Sequence, residues 1–314
     1  MPILGIDLGG TKLAVAVFSA SGDLLAKESV PLDSRKGSDV GDLVKTQIKT
    51  CLSTSEITAI GVSVPGISRH KSGTVWAPNI DGWEDYPLLA EIKQVVGTIP
   101  VAIDNDRACS ILGEQWQGKA KNCKDAIFIA VGTGIGAGIL IDGRVLRGSN
   151  GIAGAIGWMA LPKPFHNKYI PCGCFEFYAS GAGIPKFARE VLASDPTGSI
   201  LRVLPPEKIT AHHVFTAVEE EDPIAVMIIR ECISYWGMAA ANLVSIFNPE
   251  KIIFGGGIFG PAAKFIKEIK AEAAKWAQPI SIKQVSFETS KLGSDAAVYG
   301  AGFLALHNGG LQNS

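Results

Sequence analysis

Short apolar runs broken by glycine-rich turns set the rhythm of this chain. Residues 3–8 (ILGIDL) and 13–18 (LAVAVF) are separated by Gly9-Gly10-Thr11-Lys12, and Ser21-Gly22-Asp23 then leads into Leu24-Leu25. Runs of this length bounded by turn residues predict strand, glycine turn, strand, turn, strand. The layout returns near Ala126: IFIAV, then Gly132-Thr133-Gly134-Ile135-Gly136-Ala137-Gly138, then ILI, Asp142-Gly143 and Arg144-Val145-Leu146. Two copies of one supersecondary unit predict two related lobes.

Between the copies the pattern predicts a helix over about 38–52 and a strand at 57–64 ending at Pro65-Gly66. A loop through Pro78-Asn79, a helix near 87–95, a strand at 100–103 and a helix from about Asp106 to Trp116 follow. Residues 147–176, rich in Gly, Pro, His and Cys, read as irregular, and 183–194 as helical. Asp222-Pro223 is a helix start, a capping residue with proline in the first turn. The helix it opens runs to about Phe247 and is almost wholly apolar, so it is expected to be buried with no polar face left for water. Strand Lys251–Phe254 opens into Gly255-Gly256-Gly257, and helices at about 261–277 and 294–307 flank a last strand at 280–287. Strands alternate with helices, which makes the class α/β. The tail Asn308–Ser314 is expected to fray.

A chain of 314 residues, 47% of them hydrophobic, can build two cores. Lys and Arg number 29 against 30 Asp and Glu, with no basic stripe, which argues against broad electrostatic capture of nucleic acid. Six scattered cysteines do not form a secreted disulfide framework and suit a reducing cytoplasm. No charged-then-apolar leader precedes the strand at Ile3, and the apolar stretches 126–141 and 232–249 are broken by glycines or polar residues. The expectation is a soluble cytoplasmic protein with no membrane partner.

Candidate chemistry sits at the turns. Asp7, at a strand end, is followed by Gly9-Gly10-Thr11-Lys12, where missing Cβ atoms let backbone approach phosphate oxygens. Asp7 would then act through water on Mg²⁺, with Thr11 and Lys12 meeting phosphate. A tight hairpin that simply needs glycine reads equally well from this turn alone. Gly132, Thr133 and Gly134 offer a second set, and two such turns at matching places of a duplicated unit can clasp a triphosphate across a cleft. Gly255, Gly256 and Gly257 offer backbone for a flat ring, or only a strand-to-helix turn. Neither a Walker-type phosphate loop nor the dinucleotide fingerprint occurs. Asp104-Asn105-Asp106 lies where a strand gives way to a helix, and Asp106 at the helix start is expected to be favoured as an anion by the exposed amides. It is the candidate general base for phosphoryl transfer, and an ordinary N-cap is the alternative.

These residues resemble the ROK family of repressors and sugar kinases over nearly the whole chain: GIDLGGTK at 5–12, GVSVPG at 61–66, APNIDGW at 77–83, DND at 104–106, GTGIGAG at 132–138, RGSNGIAG at 147–154, Gly173-Cys174-Phe175-Glu176, and GGG at 255–257. The resemblance implies a two-lobed, actin-like (ribonuclease H-like) duplication with an interlobe cleft, divided as 1–118 plus about 295–314 and 119–294. It implies transfer of the γ-phosphate of ATP, with Mg²⁺, to a hexose or amino-sugar hydroxyl, Asp106 being the base. Carried over by position, sugar contacts would come from Gly66, Asn79, Asn105, Asp106 and Glu176, and ATP contacts from the glycine turns. The family's repressors carry a helix-turn-helix domain ahead of this fold; with the first phosphate strand at residue 3, no nucleic-acid partner is expected. Homodimerisation is expected from the resemblance alone.

The chain departs from the family pattern in one region. GExGH is the usual reading where this chain has Gly154-Ala155-Ile156-Gly157-Trp158, so two polar sugar contacts are missing. Trp158 either stacks on a sugar face or fills the pocket. In the family the missing histidine is also a zinc ligand, together with three cysteines in a CxCGxxGC pattern of which only Pro171-Cys172-Gly173-Cys174 remains, so structural zinc is not expected, although His166, Cys172 and Cys174 offer three ligands by another route. A catalytically impaired sugar or nucleotide sensor is the alternative to an active kinase.

Overall fold

The computed structural model describes residues 1–161 and 164–307, so the expected fraying of Asn308–Ser314 lies outside the described residues. The chain divides into two compact units, Met1–Asn122 with Val145–Ala153 and Asp295–Ser314, and Cys123–Arg144 with Gly154–Ser294.

In the first unit β1 (Ile3–Leu8), β2 (Lys12–Phe18) and β3 (Leu24–Pro31) form an antiparallel meander. Lys27, Glu28 and Pro31 on exposed β3 suit a sheet edge that must not recruit another strand. Helix α1 (Ser38–Thr54) buries Val40, Val44 and Ile48, a four-residue spacing that lays one face on the sheet. Strand β4 (Ile60–Val64) follows, then a small hairpin of β5 (Ile67–Arg69) and β6 (Thr74–Trp76), helix α2 (Leu88–Val96), strand β7 (Val101–Asn105) and helix α3 (Asp106–Gln117). The sheet order is β3-β2-β1-β4-β7, with β1, β4 and β7 parallel.

In the second unit β8 (Ala126–Val131), β9 (Ile135–Ile141) and β10 (Arg144–Val145) lead into a loop region carrying α4 (Cys174–Ala179). Helices α5 (Gly183–Ser194), α6 (Ala211–Glu219) and α7 (Pro223–Phe247) follow, then β11 (Lys251–Gly255), α8 (Ile266–Trp276), α9 (Ser281–Gln284) and β12 (Ser286–Thr289). The order β10-β9-β8-β11-β12, antiparallel between β8 and β9 and parallel across β8, β11 and β12, repeats that of the first sheet. The duplication expected from the two glycine hairpins is present. Helix α10 (Ala296–Leu306) then returns to the first unit.

Asp222 caps α7 as expected, its carboxylate accepting from the Ala225 amide at 2.9 Å. Among the described residues α7 is the one helix long and apolar enough to cross a membrane, but most of it lies in the core of the second unit. The expectation of no polar face needs correction, because Arg230, Glu231, Asn242 and Ser245 make a narrow exposed strip. The strand expected at 280–287 is also wrong in its first half. The Gln278 side chain accepts from the amides of Ile280 and Ser281, both at 2.8 Å, and so starts the helical turn α9, leaving only Ser286–Thr289 extended. The helix expected from 261 begins as a 3₁₀ turn at Pro261–Phe265 before α8 proper. Hairpin β5–β6 occupies part of what read as loop.

Helix α10 meets its neighbours backbone to backbone. A Cβ at Gly61 of β4 would lie 1.8 Å from the Ala301 carbonyl oxygen, and one at Gly300 would lie 1.6 Å from the Cys109 carbonyl oxygen of α3. No side chain fits either gap. Gly61→Ala is therefore expected to destabilise the protein by on the order of 3 kcal/mol, as for severe overpacking, read as a lowered urea midpoint.

Candidate active site

The first unit gathers three aspartates at the ends of its parallel strands. Asp7 on β1 accepts from the Ser63 hydroxyl of β4 at 2.7 Å. Burial pushes its pKa up to about 6; Ser63 opposes this, and the neighbouring Asp106 charge adds to it. Asp104 on β7 is fully buried, and Arg147 donates to its Oδ2 through Nε at 2.8 Å, with Nη2 at 2.7 Å.

Asn105, not Asp106, caps α3: its Oδ1 accepts from the Ala108 amide at 2.9 Å. The N-cap alternative for Asp106 is thereby removed. Asp106 stands at the first helical position with 49% of its side-chain surface exposed. Its pKa is nevertheless raised, contrary to the expectation of a favoured anion. Desolvation outweighs the Arg107 charge and the Arg107 amide, which donates at 2.9 Å. The half-open carboxylate limits how far that desolvation reaches, and it leaves an edge for a ligand.

Around these groups, Gly66 takes a φ of +90° that strains any other residue, and its carbonyl accepts from Arg107 Nη2 at 3.2 Å. Asn79 is exposed and lies beside the first glycine turn, where a Cβ on Gly10 would come within 3.4 Å of its own Cβ. Gly10, Thr11 and Lys12 are exposed, whereas the Gly9 amide donates to the Lys12 carbonyl at 2.9 Å. The second unit repeats that closure, with the Gly132 amide donating to the Gly134 carbonyl at 3.0 Å. The first glycine of each turn therefore shapes the hairpin and does not offer its own N–H.

In the second unit the Gly132 and Thr133 carbonyls accept from the amides of Gly181 and Ala182, at 2.7 and 3.1 Å. Gly132, Thr133, Gly181, Ala182, Gly257 and Ile258 line an open cavity of about 470 Å³. Two of the three glycine runs thus meet in one hollow. Within the GGG run the roles differ: a Cβ at Gly255 would strike Phe128 at 2.3 Å and one at Gly256 the Val131 carbonyl oxygen at 2.4 Å, while one at Gly257 meets nothing within 4 Å. Gly255 and Gly256 serve packing, and Gly257 faces open space.

Glu176 on α4 accepts from the Ile135 amide at 2.7 Å, which ties it to the second turn, and burial raises its pKa. Trp158 keeps 57% of its surface exposed, so it does not fill the unit's own core. The Cys174 thiol donates to the Met159 carbonyl at 2.9 Å, and His166 packs edge-on against Tyr169. His166, Cys172 and Cys174 do not gather: among the described residues no three His, Cys, Asp or Glu side chains form a metal-holding group. Sequence reasoning assigned no role to Ser63, Arg107 and Arg147, although Ser63 lies within the GVSVPG stretch and Arg147 opens RGSNGIAG.

The ROK family model matches residues 3–308. This chain belongs to the ROK family. Within that family it is 33% identical to a glucokinase of Halalkalibacterium halodurans, over 96% of this chain and 94% of that one. It is 30% identical to the xylose repressor of Caldicellulosiruptor bescii, over 95% of this chain and 76% of the repressor. Among solved structures, a ROK family glucokinase from Streptomyces griseus in complex with glucose and AMPPNP matches with a TM-score of 0.78 at 28% identity, over 97% of this chain and 99% of that one. The two-unit duplication is accordingly the ROK sugar-kinase fold.

The raised pKa of Asp7 has a measurable consequence. A carboxyl group whose folded pKa exceeds its unfolded value binds more protons when folded, so its ionisation costs stability as pH rises from about 4 to about 6. Asp7→Asn is expected to raise unfolding free energy above pH 6 by on the order of 1–2 kcal/mol, the gain vanishing near pH 4, in urea titrations across that range.

Proposed function

We propose that this ROK protein transfers the γ-phosphoryl group of ATP to a hydroxyl of a hexose or amino sugar, with Asp106 as general base. The observation that carries the proposal is the division of labour at the start of α3. Asn105 performs the capping, which leaves the Asp106 carboxylate half exposed, with a pKa moved toward the range where a base works best near neutrality. In the step proposed, the acceptor hydroxyl oxygen bonds to the γ-phosphorus and its proton passes to Asp106. The bond from that phosphorus to the β,γ-bridging oxygen breaks, and ADP leaves.

The first unit would supply Asp106, sugar contacts from Gly66, Asn79 and Asn105, and phosphate contacts from Gly10, Thr11 and Lys12, with Gly9 shaping the turn that presents them. The second would supply Thr133 and Gly134 for phosphate, on a turn that Gly132 closes, the hollow beside Gly257 for the nucleoside, and Glu176 and Trp158 for the sugar. Asp7 suits Mg²⁺: a carboxylate held by Ser63, with its pKa raised by burial and by Asp106, lacks the positive charge a divalent cation brings. When bound, Mg²⁺ neutralises phosphate charge. The AMPPNP and glucose in the Streptomyces griseus relative support donor and acceptor class. A soluble cytoplasmic homodimer with a small-molecule partner completes the reading.

With Ala155 and Trp158 where the family places glutamate and histidine, the acceptor is to be found by an ADP-release screen over hexoses, N-acetylhexosamines and polyols with ATP and Mg²⁺. On the acceptor so found, Asp106→Asn is expected to lower kcat by about 10²–10⁴-fold with KM changed little. Unchanged turnover would remove Asp106 as the base, and silence of the unmodified protein across the panel would favour the sensor. Sedimentation showing only monomer would remove the homodimer.

A further inference from the structure

We infer that Arg147 is a positioning residue for this kinase: it fixes the buried Asp104 and, through it, the strand-to-helix junction that presents Asp106. The proposal rests on the kinase reading above for its effect on turnover, and on geometry alone for its effect on the junction.

Asp104 is a carboxylate with no exposed surface at the end of β7. A buried carboxylate without a partner either takes up a proton or forces its surroundings to move. Here one oxygen, Oδ2, receives two guanidinium nitrogens of Arg147, at 2.8 and 2.7 Å. The other, Oδ1, accepts from the Asn105 amide at 2.9 Å and from Asn105 Nδ2 at 3.3 Å, with His70 Nε2 farther off at 3.7 Å. Asn105 in turn caps Ala108, and Asp106 is the next residue after the cap. A continuous chain of hydrogen bonds therefore runs from Arg147 through Asp104 and Asn105 to the first turn of α3.

Arg147 is itself held. It lies in Val145–Ala153, a segment belonging to the first unit although it is distant in sequence from β7. Its Nη1 donates to the Val145 carbonyl at 3.3 Å, and its carbonyl accepts from the Ala153 amide at 3.1 Å. Gly151 is buried at a φ of +71°, and a Cβ there would stand 3.2 Å from the Ser68 carbonyl oxygen of β5. The Arg147 side chain, 22% exposed, is thus delivered by a loop closed on itself and laid on the same unit. Lysine carries the charge but not the fork, so it can neutralise Asp104 without fixing its plane.

The test compares Arg147→Met and Arg147→Lys with the unmodified chain, all assayed well below their measured unfolding midpoints. Arg147→Met is expected to lower kcat at least 30-fold with KM for ATP within about threefold, and Arg147→Lys to fall between the two. Amide hydrogen exchange at Asn105 and Ala108 is expected to quicken more than tenfold in Arg147→Met, while amides of Gly183–Ser194 in the second unit keep their rates. A kcat within threefold of the parent, or unchanged exchange at Asn105 and Ala108, overturns the proposal. Should Arg147→Met not fold, Arg147→Lys decides alone: loss of kcat with faster exchange at the junction supports the assignment, and parental values refute it. If the unmodified chain phosphorylates no sugar, the kinase reading fails, and the exchange data still decide whether Arg147 holds the junction.

Discussion

The contact that positions everything else in the first unit is the approach of α10 to β4 and α3 with no side chain between them. Gly61 and Gly300 clear that path, and Gly113 of α3 leaves a similar gap, where a Cβ would be 2.1 Å from the Ala296 carbonyl oxygen. Helix α3 is consequently clamped along its length against α10. Its N-terminus, with Asn105 and Asp106, sits where rigid backbone places it, which is what the proposed base would need to meet a hydroxyl without first reorganising.

Charge supplies the second constraint. Three carboxylates end up near the C-terminal ends of the parallel strands of one sheet, and the fold treats each differently. Asp104 is buried and matched by a guanidinium, Asp7 is steadied by a hydroxyl, and Asp106 keeps an exposed edge with Arg107 beside it. The partners packed around each carboxylate decide how much of it stays open to solvent. In the second unit a comparable economy is made with backbone alone: the Gly132-Thr133 turn is stapled by two amides to Gly181-Ala182, and Gly257 completes the hollow.

The duplication was legible because identical strand-turn-strand patterns need no tertiary information, and both glycine turns and the cap at Asp222 follow from local backbone rules. The failures share a cause. At 280–284 a single side chain, Gln278, redirects two amides, which no hydrophobic pattern announces. The direction of the Asp106 pKa depends on how much protein surrounds it, while the helix-start rule considers only the amides ahead of it. Ser63 and Arg147 matter through partners 56 and 43 positions away. Gly255, Gly256 and Gly257 look alike in sequence and diverge only when the neighbours of each are known.

The return of α10 to the first unit also bears on how the polypeptide is made. Helix α10 follows every element of the second unit in the chain, yet it covers β1 and β4, which are synthesised first. On a ribosome, the earliest sheet must wait with that face uncovered while the later half emerges and can already close on its own core. The usual order, in which the N-terminal domain matures first, is inverted. Emergence of α10 becomes the moment at which the first unit acquires its final form, and nascent chains stalled short of α10 are natural clients for chaperones.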